Sequence, residues 1–387
     1  MLNKLLELLF GIVGFLYSIL TGRTAAITPT TNVMEFDTQL NQHLERGKPL
    51  LGRLVRRGPE DGHNDMADWM KSLPDERPLN AITYPGTHDA AAYNYAGEGH
   101  HFWNCQTQPL LQQLDSGIRA LDLRYALKDG KLLFFHSIAL LDEGAEVVDI
   151  IWGLHGWLRE HPHETIIVSL KVDNGDPYAA DVQEHMQRVL DDTSRREFWV
   201  ANVTTRTTLR EARGKLVLMR RFPYGQPVGF GVSEDWKVND GNFKIALDSD
   251  RNTFAQIEDF YLLIGRPRDT EWQLGEKEKA TMQHLERAQA AIEHDSGDLW
   301  ITFSSAVGDR RTAPDEDVTP RVMALGRDNV QGINQRMKAW CRQHPSKPLG
   351  IVFMDFVTIQ RKDAGLLYEE EPDTDLIRLF AGMQQPH

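Results

Sequence analysis

Between residues 79 and 356, short apolar runs alternate with amphipathic helical patterns, and this alternation limits the fold more than any other feature of the chain. Residues 81–84, 120–124, 132–136, 165–171, 216–220, 299–303 and 350–356 read as buried strands. Residues 109–114, 147–160, 178–192, 277–293 and 327–343 read as helices. Strands separated by helices pair in parallel through crossover connections. Seven or so such strands over roughly 300 residues favour a closed or nearly closed ring over an open sheet. The expected fold is therefore α/β, a TIM-like (β/α) barrel, distorted or incompletely closed. No internal repeat interrupts the pattern, and no second region has a core of its own.

In such a barrel the reactive groups collect where strands end on the carboxyl side. The polar residues that end apolar runs are His88 and Asp89, Asp122 and Arg124, His136, Lys171, Arg220 and Arg221, and Asp355. Each has a plainer reading alone. A strand-end histidine is usually a structural hydrogen-bonder, Arg124 suits a surface ion pair, Asp355 suits a helix cap, and Lys171 can snorkel. Together they obey one placement rule, and one barrel mouth would collect them all. Two imidazoles can share proton transfer near neutrality, carboxylates such as Asp355 and Asp89 can orient them, and Arg124 presents a planar fork to two phosphoryl oxygens. That set suits cleavage of a phosphodiester by an internal hydroxyl.

Composition narrows the partners. The chain has 387 residues with a formal net charge of −13, so its overall field opposes nucleic acid and anionic membrane surfaces. An anionic substrate then needs a local cationic pocket. The two cysteines, Cys105 and Cys341, make no disulfide framework, and no CxxC or clustered His/Cys spacing suggests a zinc site. Residues 5–20 are apolar apart from Glu7 and Ser18, which is short for a membrane span and suited to a signal-peptide core; an amphipathic or buried helix is the alternative. The expected organisation is a hydrophobic signal or anchor segment over 1–26, a polar lead-in over 27–78 with a surface helix near 35–45, and a catalytic barrel over 79–387. A secreted or membrane-associated location in the secretory pathway follows from that first segment.

At this point the motifs resemble a known family. Pro85-Gly86-Thr87-His88-Asp89, Gly117-Ile118-Arg119 through Asp122-Leu123-Arg124, Phe135-His136, and His161-Pro162-His163-Glu164-Thr165 through Leu170-Lys171 are similar, in order, to the motifs of phosphatidylinositol-specific phospholipase C in its single X-type barrel form. The resemblance covers roughly residues 80–357 and is densest before Lys171. It implies that His88 is the general base on the inositol 2-hydroxyl with Asp355 behind it, and that His136 is the general acid with Asp89 beside it. It implies that Arg124 clamps the phosphate, with Asp122 in the same catalytic set. Lys171, Arg221, Asp259 and the stacking aromatic Tyr261 are implied to bind the inositol ring. Calcium-dependent members place carboxylates where Arg124 and Lys171 stand here, and an amide where Asp89 stands. The resemblance thus implies catalysis with no metal and no cofactor, since a hard cation needs several oxygen ligands. Ser137 follows His136 where the family usually has glycine.

The substrate implied is a phosphatidylinositol-type lipid at a membrane interface, cleaved to cyclic inositol phosphate and diacylglycerol by a monomer with no nucleic-acid partner. Two alternatives stay open: a barrel phosphodiesterase acting on another phospholipid or a glycerophosphodiester, and a catalytically silent membrane-binding relative. His101-Phe102-Trp103 is either an interfacial rim or a buried staple.

Overall fold

The computed structural model describes residues 47, 49–51, 66–193, 198–204, 206–225, 228–232, 235–248, 251–263, 270–294, 297–308, 318–327, 329–345, 347–358 and 376–383. The apolar residues 5–20 and the surface helix expected near 35–45 lie outside these.

One sheet curls into a barrel. Its strands are β1 (Tyr84–Thr87), β2 (Ala120–Lys128), β3 (Lys131–His136), β4 (Ala139–Glu146), β5 (Ile166–Val172), β6 (Leu216–Arg221), β7 (Phe230–Gly231), β8 (Phe243–Ala246), β9 (Phe254–Glu258), β10 (Leu299–Phe303) and β11 (Ile351–Met354). The order around the barrel is β7-β6-β5-β2-β1-β11-β10-β9-β8. All pairs on this path are parallel except β8 with β9. Helices including α1 (Leu110–Asp115), α2 (Val147–Glu160), α3 (Ala180–Thr193), α4 (Thr270–Glu293), α5 (Ile333–Gln343) and α6 (Leu376–Gly382) connect or cover the strands.

Closure is incomplete, as the sequence suggested. Among the described residues no ladder joins β7 to β8. Asp248 spans the seam instead: its carboxylate accepts hydrogen bonds from the Gly231 peptide N–H and the Arg220 guanidinium, both at 2.6 Å. A side chain at 231 would collide with that carboxylate, which accounts for the glycine.

The barrel interior follows period-2 alternation. Inward columns start apolar and end polar: Ala120-Asp122-Arg124, Ile167-Ser169-Lys171, Val217-Met219-Arg221 and Ile351-Phe353-Asp355. The lower tiers form the core with Tyr84, Ile257, Ile301 and Phe303. Residues Trp69, Met70, Leu73 and Leu79 join the same core. Helices α4, α5 and α6 contribute Met282, Leu285, Met337 and Phe380 to a second layer against the outer face of β11, at Val352 and Met354.

Some boundaries differ from expectation. The first strand begins at Tyr84 rather than at residue 81, because Leu79–Ala81 forms a 3₁₀ turn after Pro78. The last long helix begins at Ile333 rather than at residue 327. Gly326–Arg327 pairs antiparallel with Val330–Gln331, and Gly326 takes φ +79° where a Cβ would strike the Val330 carbonyl. The strand that ends at His136 is antiparallel to β2, not parallel as expected.

Two core imidazoles make the fold acid-sensitive. His155 is buried among Trp152, Phe198 and Trp199 with no hydrogen-bond partner, and burial lowers its pKa to about 3. His284 bonds Thr302 at 2.9 Å, and burial, with the charges of Arg287 and Lys277, lowers it to about 3. The unfolded chain takes up protons below about pH 6.5 that these native rings refuse, so stability is intact above that pH and falls below it. At pH 5 each ring is expected to cost about 2 kcal/mol relative to pH 7. Urea unfolding at the two pH values checks this: His155→Leu should shrink the acid loss by about 2 kcal/mol, and an unchanged loss would refute the assignment.

Candidate active site

Three cations stand side by side at the mouth because of register. Arg124 is opposite Lys171, and Lys171 is opposite Arg221. One residue pair deeper in the same columns, Asp122 accepts from Arg124 Nε at 3.0 Å and from the Ser169 hydroxyl at 2.9 Å, and lies 3.7 Å from Arg221 Nη1. Burial works to raise the Asp122 pKa, but Arg124 and Arg221 overcome it and hold the carboxyl well below the usual range. Asp173, just past β5, accepts from Lys171 Nζ at 2.6 Å and lies 3.6 Å from Arg124. Burial opposes its ionisation as well, and Arg124 and Lys171 again prevail. Arg221 stacks 3.7 Å over Trp236, whose indole donates to Asp259 at 2.9 Å. Its neighbour Arg220 points out of the barrel, to Asp248 and the Val228 carbonyl.

His88 follows β1. Its Nδ1 lies 2.8 Å from Asp355 and its Nε2 2.7 Å from Arg124 Nη2. Guanidinium only donates, so it uses the Nε2 lone pair and the ring proton sits on Nδ1, where Asp355 accepts it. Gln106 fixes this corner by donating to the carbonyls of His88 and Met354. The Asn334 amide donates to the Asp355 carbonyl.

His136 reaches the same level by a different route. The β2–β3 hairpin overshoots the parallel barrel, pairing Lys128 with Lys131, and β3 then returns toward the mouth. The two imidazoles face each other edge to face with centroids 6.3 Å apart. Nδ1 of His136 donates to the Trp103 carbonyl at 2.8 Å, and Asp89 Oδ2 lies 3.2 Å from the same nitrogen. Asp89 is fully buried and neither of its oxygens accepts a hydrogen bond. Burial raises its carboxyl pKa well above the ordinary value. Burial and the Arg124 charge lower His136 to about 4.

The residues just after His88, His136 and Asp355 share a backbone conformation. Asp89, Ser137 and Phe356 have φ of +41°, +52° and +49°. Left-handed turns at these strand ends swing the preceding side chains into the mouth, and the position of Ser137 is one that favours glycine.

The expected site residues meet at this mouth, with Tyr261 at its edge, 36% exposed and within electrostatic reach of Asp259, Arg124 and Asp173. Buried carboxylates hold each cation in place. Sequence reasoning missed Asp173, Trp103, Cys105, Gln106 and Trp236. Only Asp173 had a signal, its period-2 spacing from Lys171. Of the two readings of His101-Phe102-Trp103, the buried staple holds at Phe102, and Trp103 packs 5.4 Å from the His136 ring. The exposed apolar side chains near the mouth are Ile138 (75% exposed), Tyr178 and Val238 (80%).

Residues 83–222 match the family described as phosphatidylinositol-specific phospholipase C, X domain. The match covers the His88, Arg124, His136, Lys171 and Arg221 region. The X-domain region is 32% identical over 162 residues to a 1-phosphatidylinositol phosphodiesterase of Listeria monocytogenes, covering 39% of this chain and 47% of that protein. It is 27% identical over 159 residues to a protein of the same description from Staphylococcus aureus, covering 40% and 50%. A human PI-PLC X domain-containing protein 1 is 27% identical over 152 residues, covering 32% and 46%. The aligned part thus spans about half the length of these relatives. The X-domain barrel superposes on a phosphatidylinositol-specific phospholipase C of S. aureus with a TM-score of 0.67 at 19% identity, covering 83% of this chain and 98% of that one. The L. monocytogenes enzyme gives a TM-score of 0.58 at 22% identity, covering 82% and 98%. These superpositions bear out the barrel.

Proposed function

We propose that the protein cleaves phosphatidylinositol-type lipids to a cyclic inositol phosphate and diacylglycerol, with its own side chains supplying all the catalysis. The contact between Arg124 and His88 Nε2 carries this reading. The guanidinium sits on the lone pair that a general base needs. A phosphate entering between the imidazoles attracts Arg124 more strongly than a neutral ring does, and its departure frees Nε2. His88 then takes the 2-hydroxyl proton, the oxygen attacks phosphorus, and Asp355 stabilises the imidazolium through Nδ1–H. His136 protonates the departing glycerol oxygen. A phosphate anion between the rings favours the imidazolium form of His136, with Nδ1–H held by the Trp103 carbonyl and the second proton, taken up from solvent, on Nε2, so the acid is loaded when substrate binds. Lys171, Arg221, Asp259 and Tyr261 bind the inositol ring. Arg124 and Lys171 provide the positive charge that a calcium ion provides in related enzymes.

Diacylglycerol release from phosphatidylinositol vesicles in excess EDTA tests the reading. We expect full turnover in chelator. Turnover lost in EDTA and restored by calcium would refute it.

The exposed Ile138, Tyr178 and Val238 support contact with the lipid surface, since the acidic chain offers no general attraction to it. No described helix is long and apolar enough to cross a membrane. The apolar residues 5–20 support export or membrane attachment. Ile138→Ser combined with Val238→Ser is expected to weaken vesicle binding about 100-fold, taking each insertion as about 1.4 kcal/mol, and to leave hydrolysis of a soluble inositol phosphodiester within about twofold. Equal losses on both would contradict an interfacial role.

A further inference from the structure

Cys105 lies at the bottom of the mouth, fully buried. Its backbone is pinned by hydrogen bonds to the Ala92 carbonyl and from the Phe356 N–H. Its Sγ is 3.8 Å from His136 Nδ1, and the same nitrogen is 3.2 Å from Asp89 Oδ2. The three atoms all lie within 4.8 Å of one another. A tetrahedral Zn²⁺ with ordinary bond lengths would place nitrogen and oxygen about 3.3 Å apart and nitrogen and sulfur about 3.6 Å apart. The observed 3.2 and 3.8 Å differ from these by about 0.1 and 0.2 Å, and sulfur and oxygen lie within 4.8 Å of each other. Asp89 points into the group with no hydrogen bond to either oxygen, so binding a cation would satisfy an orphaned carboxylate, and the one bond it displaces is that from His136 to the Trp103 carbonyl. The alternative trio of His88, Cys105 and Asp355 is less apt, because its 2.8 Å imidazole–carboxylate hydrogen bond is shorter than a tetrahedral edge and is already satisfied.

We propose that Asp89, Cys105 and His136 form a binding site for a thiophilic divalent cation, Zn²⁺ in the first instance, and that its occupation switches the enzyme off. A thiolate–imidazole–carboxylate set selects Zn²⁺ over Ca²⁺ and Mg²⁺, which require more and harder oxygen ligands. On binding, Cys105 and Asp89 enter as thiolate and carboxylate and their protons go to solvent. The His136 ring proton leaves Nδ1, giving up the Trp103 carbonyl, and Nε2 is protonated in its place. The metal keeps a fourth position for water or for a phosphate oxygen. A zinc-bound imidazole holds its Nε2 proton far more tightly than an imidazolium, so His136 no longer serves the leaving group. Inhibition rests on the role proposed for His136; binding does not. The spacing of these residues in the chain, 89, 105 and 136, hides the site from any linear motif.

The test reads binding and turnover separately. Metal-free protein is titrated with Zn²⁺ against a chromophoric chelator, and with Co²⁺ while its thiolate charge-transfer absorption is followed. We expect one equivalent bound, a cobalt–thiolate band, and Zn²⁺ inhibition of phosphatidylinositol cleavage that tracks occupancy and is reversed by EDTA. Cys105→Ala should lose the band, bind Zn²⁺ at least tenfold more weakly and resist inhibition relative to its own metal-free rate. Cys105→Ser, nearly isosteric, covers a folding defect in the alanine variant, and Cys341→Ala should change nothing. No binding, or binding indifferent to Cys105, overturns the proposal; binding with turnover intact overturns the switch. Absent turnover in EDTA would refute the catalytic reading and leave the binding result standing.

Discussion

Replacing His136 by alanine is expected to slow diacylglycerol release from phosphatidylinositol about 10³–10⁴-fold and to spare most of the rate on an inositol phosphodiester with a nitrophenolate leaving group. A glycerol alkoxide is a poor leaving group and needs a proton as it departs; a nitrophenolate does not. His88→Ala, by contrast, is expected to cost about as much on both substrates, because the 2-hydroxyl must lose its proton whatever leaves. The pairing rests on geometry. His88 is fixed by Asp355 at 2.8 Å and faces His136 across 6.3 Å, a gap suited to one phosphoryl group. Equal losses from both variants on both substrates would separate these imidazoles from the roles of base and acid.

The largest effect on stability is expected at Arg119, immediately before β2. Its guanidinium is fully buried, bonds Glu164 at 2.7 Å and donates to the carbonyls of Leu114, Ile118 and Ala67. Trp157 lies 4.7 Å from its centre. The pair ties the start of β2 to the turn before β5 and to the segment at Met66 and Ala67. Arg119→Met fills the space and leaves Glu164 charged, buried and unpaired, which is expected to cost about 3–5 kcal/mol. Arg119→Met with Glu164→Leu removes the stranded charge and should recover more than half of that loss in urea unfolding. A double variant no more stable than the single would mean that the carbonyl bonds, not the ion pair, carry the contribution.

Both results bear on what the sequence made visible. The inward columns were legible because period-2 alternation placed a polar residue at the top of each apolar run, and that is why Arg124, Lys171, Arg221 and Asp355 could be read before their contacts were known. Strand direction was not legible. Lys131–His136 is an apolar run like the others, and only the overshoot of Ala120–Lys128 past its parallel neighbours shows why an antiparallel strand delivers His136 to the same level. Arg119 and Glu164 stand within the motifs that carry the family resemblance, yet their burial assigns them to holding the frame. Asp173 continues the period-2 column of Lys171 one step past the strand, whereas Cys105, Gln106 and Trp236 come from loops whose positions depend on tertiary contacts, so no local pattern marked them. The sequence left His101-Phe102-Trp103 open between a rim and a buried staple, and only tertiary burial of Phe102 decides it; Val238 is a single apolar residue in a polar turn and Ile138 merges with the apolar start of the next strand, so neither stood out as a rim.

The central claim is that two imidazoles and a guanidinium perform an internal phosphoryl transfer without a metal. Phosphorus NMR of phosphatidylinositol vesicles mixed with the protein in excess EDTA tests it most directly. The account predicts that the resonance of a five-membered cyclic phosphodiester appears first, at the full catalytic rate. Inositol monophosphate formed with no cyclic precursor, or an unchanged spectrum until calcium is supplied, would contradict it.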